Sequence, residues 1–290
     1  MILLLIGLVW LEERVRAGGG RPGLVMEGAM LLLGIEAGRE LAKVLRARQI
    51  AANVAITALA VCTGVAVSSR TPAELGALSG TAIVCTAGSA IMLISMLYYS
   101  RRRTTEGVVA ATAGALLAFV YVGLMGGFIV VLVKEFSGWV LLGVLAVTKS
   151  CDIGAYFTGR ALGRHKLIPW LSPGKTWEGL FGGVAFAAAV GAVAGAWADA
   201  AGALQGIDAR SGALAGALFG LIGQAGDLVA SMLKRDAGLK DYSRAVPGFG
   251  GLMDIVDSPL LVAPVAYWLL LALEAWSAHA GSTALLPAPP

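Results

Sequence analysis

Charge is scarce in this chain of 290 residues: Asp, Glu, Lys and Arg make up 14%, against 58% hydrophobic residues and a mean hydropathy of +0.80. A soluble protein of this length needs far more charged surface, so the soluble classes are excluded and an integral membrane protein is expected. Histidine is nearly missing. With only His165 and His279, no Ser/His/Asp or Cys/His pairing is visible, and catalysis through an activated Ser or Cys is not expected. The three cysteines, Cys62, Cys85 and Cys151, sit in apolar surroundings without paired spacing, which excludes a disulfide framework and a zinc site. A net charge of +4 is too slight for nucleic-acid binding and reads as a bias of the loops.

What is abundant is apolar runs and small residues, including 40 glycines, which let membrane helices approach closely. Ala51–Val67, Ser79–Tyr99, Gly107–Val133, Trp139–Phe157, Glu178–Ala198, Ser211–Leu233 and Leu252–Trp276 each approach or exceed the length needed to cross hydrocarbon. Gly23–Leu45 is weaker, because Glu36, Arg39, Glu40 and Lys43 interrupt it. Met1–Leu11 is short, lacks the flanks of a secretory signal, and reads as a truncated first helix or an interfacial segment. The expected fold is an all-α polytopic membrane protein of about eight spans (seven to nine). Residues 1–50 form an N-terminal membrane or juxtamembrane segment, 51–276 the transmembrane domain, and 277–290 a disordered tail. Lys and Arg dominate the loops at 36–48, 101–106, 159–175 and 234–244 but not the intervening ones, which places the first group in the cytoplasm.

Two stretches gather the charge. In Gly226–Arg235, Asp227, Ser231 and Lys234 recur at i, i+4 and i+7, hence on one helical stripe. A carboxylate, a hydroxyl and an ammonium so aligned suit a divalent cation with an adjoining phosphate; the plainer reading is an ion pair of Asp227 with Lys234 or Lys149. Lys240 and Asp241 follow. Then Pro247–Ser258 combines a flexible Pro-Gly-x-Gly-Gly turn, whose Gly248, Gly250 and Gly251 can bring backbone N–H groups to anions, with Asp254 and Asp257 on one helix face. Two carboxylates so close call for a cation, and Mg²⁺ takes one or two carboxylates plus phosphate oxygens. The alternative is acids that complement a helix N-terminus.

A third stretch runs from Lys149 and Asp152 through Arg160 to Ser172-Pro-Gly-Lys175-Thr176-Trp-Glu-Gly. Lys149 and Asp152 neutralise each other, or Asp152 faces the site. The Lys175 segment is not a P-loop, since Pro169 stands where a glycine is required; Ser172 and Thr176 read as helix-start residues, with Lys175 at a helix N-terminus that favours anions.

On these residues the chain resembles the CDP-diacylglycerol synthases (phosphatidate cytidylyltransferases). Ser231, Lys234, Arg235, Lys240, Asp241, Pro247, Gly248, Gly250, Gly251, Asp254 and Asp257 match that family's signature in type and spacing, and the blocks around Asp152 and Lys175 are similar too. The likeness is specific over roughly 149–260 and general in hydropathy before it. Phe249 stands where the family usually has His, and Ile255 where it has Arg, changes compatible with a modified lipid substrate. The resemblance implies transfer of a cytidylyl group from CTP to phosphatidate, giving CDP-diacylglycerol and pyrophosphate, in a bacterial inner membrane with the site facing the cytoplasm. It implies Mg²⁺ held by Asp227, Asp254 and Asp257, with a second, monovalent cation such as K⁺. Asp227, Asp254, Lys234 and Asp257 are the expected catalytic residues. Ser231, Arg235, Lys240, Lys175 and the three glycines are the expected phosphate contacts, with Asp152, Lys149, Arg160 and Asp241 in secondary roles. The Gly- and Ala-rich helices are compatible with a homodimer. Two other readings stand beside this one: a CTP-dependent transferase or kinase acting on another membrane lipid, and an ion-coupled secondary transporter.

Overall fold

The computed structural model describes residues 2–70, 74–75, 78–101, 105–204, 206–243 and 250–283. Ten α-helices carry the fold among them: α1 (Ile2–Ala17), α2 (Leu24–Ala47), α3 (Val54–Arg70), α4 (Gly80–Ser100), α5 (Val108–Leu117), α6 (Met125–Glu135), α7 (Gly138–Leu162), α8 (Trp177–Ala200), α9 (Ala209–Asp236) and α10 (Met253–Thr283). A π-helical turn, Ala118–Leu124, joins α5 to α6 in one continuous rod.

Among the described residues, six helical segments are long and apolar enough to cross a membrane: α4, the α5–α6 rod, α7, α8, α9 and residues 253–277 of α10, each 21 to 28 residues long. At 1.5 Å per residue these exceed the hydrocarbon thickness. The shorter apolar helix α3, 17 residues long, is a seventh candidate. The expected count of eight is not reached on this measure, because α1 is too short and α2 carries six charged residues, Glu27, Glu36, Arg39, Glu40, Lys43 and Arg46. Leu93, Leu97, Phe157, Phe181, Val193, Leu214 and Trp268 are exposed on the helix surfaces, as lipid-facing side chains of a membrane protein are. Helix α10 runs on to Thr283, beyond the boundary expected at 276.

The termini of the spans follow local chemistry. Ser137 caps α7 by accepting from the Val140 N–H, and Asp208 with Ser211 forms a reciprocal capping box at α9. Hydrogen bonds from Ser211 hold the Asp208 carboxyl below its usual range. Between α7 and α8, where only a loop is expected, an antiparallel hairpin pairs β3 (Lys166–Ile168) with β4 (Ser172–Thr176). Thr176 is the helix cap that its sequence position suggests, accepting from the Gly179 N–H at 3.1 Å. Ser172 instead opens a strand, because the turn at 169–171 folds the chain back on itself. The other short pair, β1 (Glu74–Leu75) and β2 (Leu78–Ser79), precedes α4.

Glycine sets the packing of the half that bears the motifs. Helix α9 lies against α8, α7 and α10. A Cβ added to Gly216 would overlap the Ala187 carbonyl oxygen, and one at Gly226 would stand 2.8 Å from the Asp257 carbonyl oxygen. Gly216→Val is expected to cost about 1–3 kcal/mol through overpacking; a lower midpoint for thermal unfolding in detergent is the check.

Acids buried in the N-terminal part serve structure. Glu12 is fully buried and accepts from the backbone N–H groups of Gly23, Val25 and Met26 at 2.5, 2.9 and 3.1 Å, satisfying the start of α2. Glu27 pairs with Arg70 of α3. Glu27, together with Glu13, which accepts from the Gly138 N–H at the start of α7 at 2.7 Å, ties the segment 1–50 to α3 and α7.

Candidate active site

Four helices bring the polar residues together. Asp152 on α7 receives Lys149 Nζ on Oδ2 at 3.2 Å and Gln224 Nε2 of α9 on Oδ1 at 2.7 Å. The other end of the Gln224 amide accepts from Lys175 Nζ at 2.8 Å, and the same ammonium lies 2.5 Å from Asp227 Oδ2. A charge-alternating chain thus runs Lys149–Asp152–Gln224–Lys175–Asp227 across α7, the β4–α8 junction and α9. Lys175 stands immediately before the capping residue of α8, as its sequence position suggests. A cavity of about 310 Å³, lined by Asp152, Tyr156, Lys175, Thr176 and Gln224 among others, opens beside this chain.

A second group is built around the start of α10. Asp254 accepts from Lys234 Nζ on Oδ1 at 2.6 Å, and on Oδ2 from the backbone N–H groups of Gly251 and Tyr242 at 2.8 and 3.0 Å. Lys234 also lies over the Tyr242 ring, 5.4 Å from its centroid. Beneath this loop sits Glu40 of α2, 2% exposed, accepting from the N–H groups of Leu252 and Met253 at 2.9 and 2.8 Å and from the Ser243 hydroxyl at 2.5 Å. The glycines have a steric reason. Gly250 adopts φ +88°, the left-handed region, and a Cβ on Gly251 would stand 2.6 Å from a Glu40 oxygen. Tyr242 is fully buried and donates to the Ala230 carbonyl at 3.2 Å; burial pushes its phenol well above the ordinary range.

Asp257 stands between the two groups. It is 4% exposed, accepts on Oδ1 from the Ser258 N–H and hydroxyl at 2.6 and 3.2 Å, and feels the charges of Lys149, Asp227 and Lys234.

Asp227, Asp254, Asp257, Lys234, Lys175, Lys149 and Asp152 therefore lie in this region, with Lys149 paired to Asp152 as one of the two expected alternatives has it, but the partner of Asp227 differs from those expected. Asp227 pairs with Lys175, rather than Lys234 or Lys149. Among the described residues, no three Asp, Glu, His or Cys side chains are grouped so as to hold a metal ion. Asp254 spends both oxygens on Lys234 and the loop backbone. Asp227, about one-third exposed, and Asp257, whose described hydrogen bonds end on one oxygen, are the carboxylates whose donor chemistry fits a hard cation. Ser231 is half-buried on α9 one turn beyond Asp227. Arg160 donates to the Tyr156 hydroxyl at 2.9 Å and Arg235 to the Leu239 carbonyl at 3.2 Å, both exposed; Lys240 and Asp241 are exposed in the loop after α9. Gly248, with Pro247 and Phe249, lies outside the described residues.

Three groups in this region stand outside the sequence motifs: Glu40, Gln224 and Tyr242. For Glu40 a signal exists, because it shares the buried face of α2 with Ala37, Leu41 and Val44, whereas Arg39 is exposed. Gln224 stands three residues before Asp227, one turn along the same helix. Nothing in the pattern marks Tyr242.

A sequence model described as the cytidylyltransferase family matches residues 2–273 of the chain. An uncharacterized Escherichia coli K12 protein, YnbB, is 42% identical over 130 residues, 45% of this chain and 42% of that protein. A phosphatidate cytidylyltransferase of Mycobacterium bovis is 40% identical over 147 residues, 51% of this chain and 45% of the relative. One from Helicobacter pylori is 33% identical over 205 residues, 68% and 69% of the two chains. The matched stretch thus spans less than half the length of the first two relatives.

Proposed function

The chain belongs to the cytidylyltransferase family, and on that premise we propose that it transfers a cytidylyl group from CTP to phosphatidate, forming CDP-diacylglycerol and pyrophosphate. The observation that carries this reading is the interleaving of lysines with carboxylates in one place. Lys149, Lys175 and Lys234 each contact an aspartate of the site, so that a phosphate and a cation would find partners side by side. A proton wire needs acids alone; a polyphosphate needs both signs.

In the proposed step, an anionic oxygen of the lipid phosphate attacks the α-phosphorus of CTP in line. The new P–O bond forms as the bond to the bridging α–β oxygen breaks, and pyrophosphate departs with the electron pair. No strong base is needed, because the nucleophile is already anionic. Lys175 and Lys234 neutralise phosphoryl oxygens, and Arg235 and Lys240 at the rim attract the triphosphate. Mg²⁺ would supply charge neutralisation at the reacting phosphates, held by Asp227 and Asp257, with Asp254 joining only on release of Lys234; K⁺ would be a further, monovalent ion. The basic loops support a site on the cytoplasmic face, and the bacterial relatives support an inner membrane. The same residues would serve a CTP-dependent enzyme acting on another lipid, which product analysis distinguishes.

Purified protein in liposomes with phosphatidate, CTP and Mg²⁺ is expected to yield CDP-diacylglycerol and pyrophosphate in equal amounts. Chelation of divalent ions is expected to reduce the rate at least a hundredfold, and re-addition of Mg²⁺ to restore it. Full turnover without divalent metal would remove the ion from the proposal.

A further inference from the structure

Three buried hydroxyls lack a hydrogen-bond partner among the described residues: Ser95, Thr112 and Tyr121. The first two lie on helices, where a Ser or Thr hydroxyl needs only a rotamer change to reach the carbonyl one turn back. A phenol cannot do this, since its oxygen stands too far from its own backbone. Tyr121 is 5% exposed, so water does not solvate it freely either. An unpaired polar atom buried to this degree costs about 1–3 kcal/mol and needs an explanation.

Its setting is equally unusual. Tyr121 lies in the π-helical turn 118–124, and such turns concentrate at functional sites. The turn is held by a close crossing with α3, where a Cβ on Gly123 would stand 2.9 Å from Gly64 Cα. On the other side, α6 packs against α10, whose first turns carry Asp254 and Asp257. The charged groups within electrostatic reach of the phenol are Asp257 and Asp227, and Tyr242 is near it. Both carboxylates are acceptors, yet neither takes the O–H.

We propose that the Tyr121 hydroxyl is a substrate-binding group that donates a hydrogen bond to a phosphoryl oxygen seated between Asp227, Asp257 and the site's lysines. The π-helical turn holds the ring inward, and the substrate brings the missing acceptor. The inference rests on the phosphoryl-transfer reading of the site and adds a residue from the α5–α6 rod. Two sources offer that oxygen, the nucleotide and the lipid headgroup, and the kinetics separate them.

Tyr121→Phe removes the hydroxyl and nothing else. Because no protein partner is lost, its thermal midpoint in detergent is expected to equal or exceed that of the wild type. In liposomes KM is expected to rise about tenfold for one substrate, the value expected of one lost hydrogen bond to a charged group. A rise for CTP assigns the contact to the nucleotide, a rise for phosphatidate to the lipid. Unchanged kinetics with both substrates would overturn the proposal, as would a midpoint several degrees lower with both KM values unchanged, the mark of a structural role. Thermal stabilisation of wild type and variant by pyrophosphate and by phosphatidate-containing vesicles provides a readout without turnover. Weaker stabilisation of the variant supports the contact, and equal stabilisation by both probes contradicts it. A wild-type protein that transfers no cytidylyl group would defeat the proposed reaction, leaving the Tyr121 contact to be judged by stabilisation alone.

Discussion

Asp227→Asn is expected to lower cytidylyl transfer by about two to three orders of magnitude, the loss typical of removing one charged group from a phosphoryl-transfer or oxyanion site. Folding should be little affected, because Asp227 is one-third exposed and its described partner, Lys175, retains Gln224. Asp254→Asn makes the contrast. That change disturbs Lys234 and the two backbone N–H groups the carboxylate gathers, so stability and rate should fall together. Rate measurements beside thermal midpoints would distinguish the two aspartates; equal damage to both properties in both variants would refute the division of labour drawn here.

The second large effect is expected far away in sequence. Glu40→Ala removes the acceptor of the Leu252 and Met253 N–H groups and one contact of the Ser243 hydroxyl, and each buried unsatisfied donor costs about 1–3 kcal/mol. A loss of about 3 kcal/mol in stability is expected from the two backbone groups. The loop that carries Gly250 and Gly251 also loses its anchor, so activity should fall at least tenfold. Glu40→Gln retains one acceptor oxygen and should recover part of both losses. A Glu40→Ala protein with wild-type midpoint and rate would show that the carboxylate does not hold the loop.

Much of this was legible in one sequence because hydrocarbon imposes strong rules. Apolar runs of sufficient length marked the spans, and Thr176 stands at a helix start where a short polar side chain satisfies a free N–H group, while Ser172, read in the same way, opens a strand. The residues that cluster here were legible by type. Their partners were not. The Lys175–Asp227 pair joins residues 52 apart in sequence through the packing of α8 on α9, which no local spacing encodes. Asp254 and Asp257 share a helix face, yet Asp254 turns to its own loop, where a helix N-terminus rewards a carboxylate. Glu12 and Glu40 look like interruptions of apolar helices, but each caps the start of another helix. The π-helical turn has no pattern of its own in the sequence, since it depends on how the rod crosses α3.

The most direct test of the central claim uses CTP labelled at one phosphorus at a time, with the reconstituted protein and phosphatidate. Label at the α-phosphorus is expected to enter the lipid phase in proportion to pyrophosphate released, while label at the γ-phosphorus stays in the aqueous phase. Lipid that acquires the γ-label would mean a kinase, and a lipid phase free of both labels would contradict the proposed reaction.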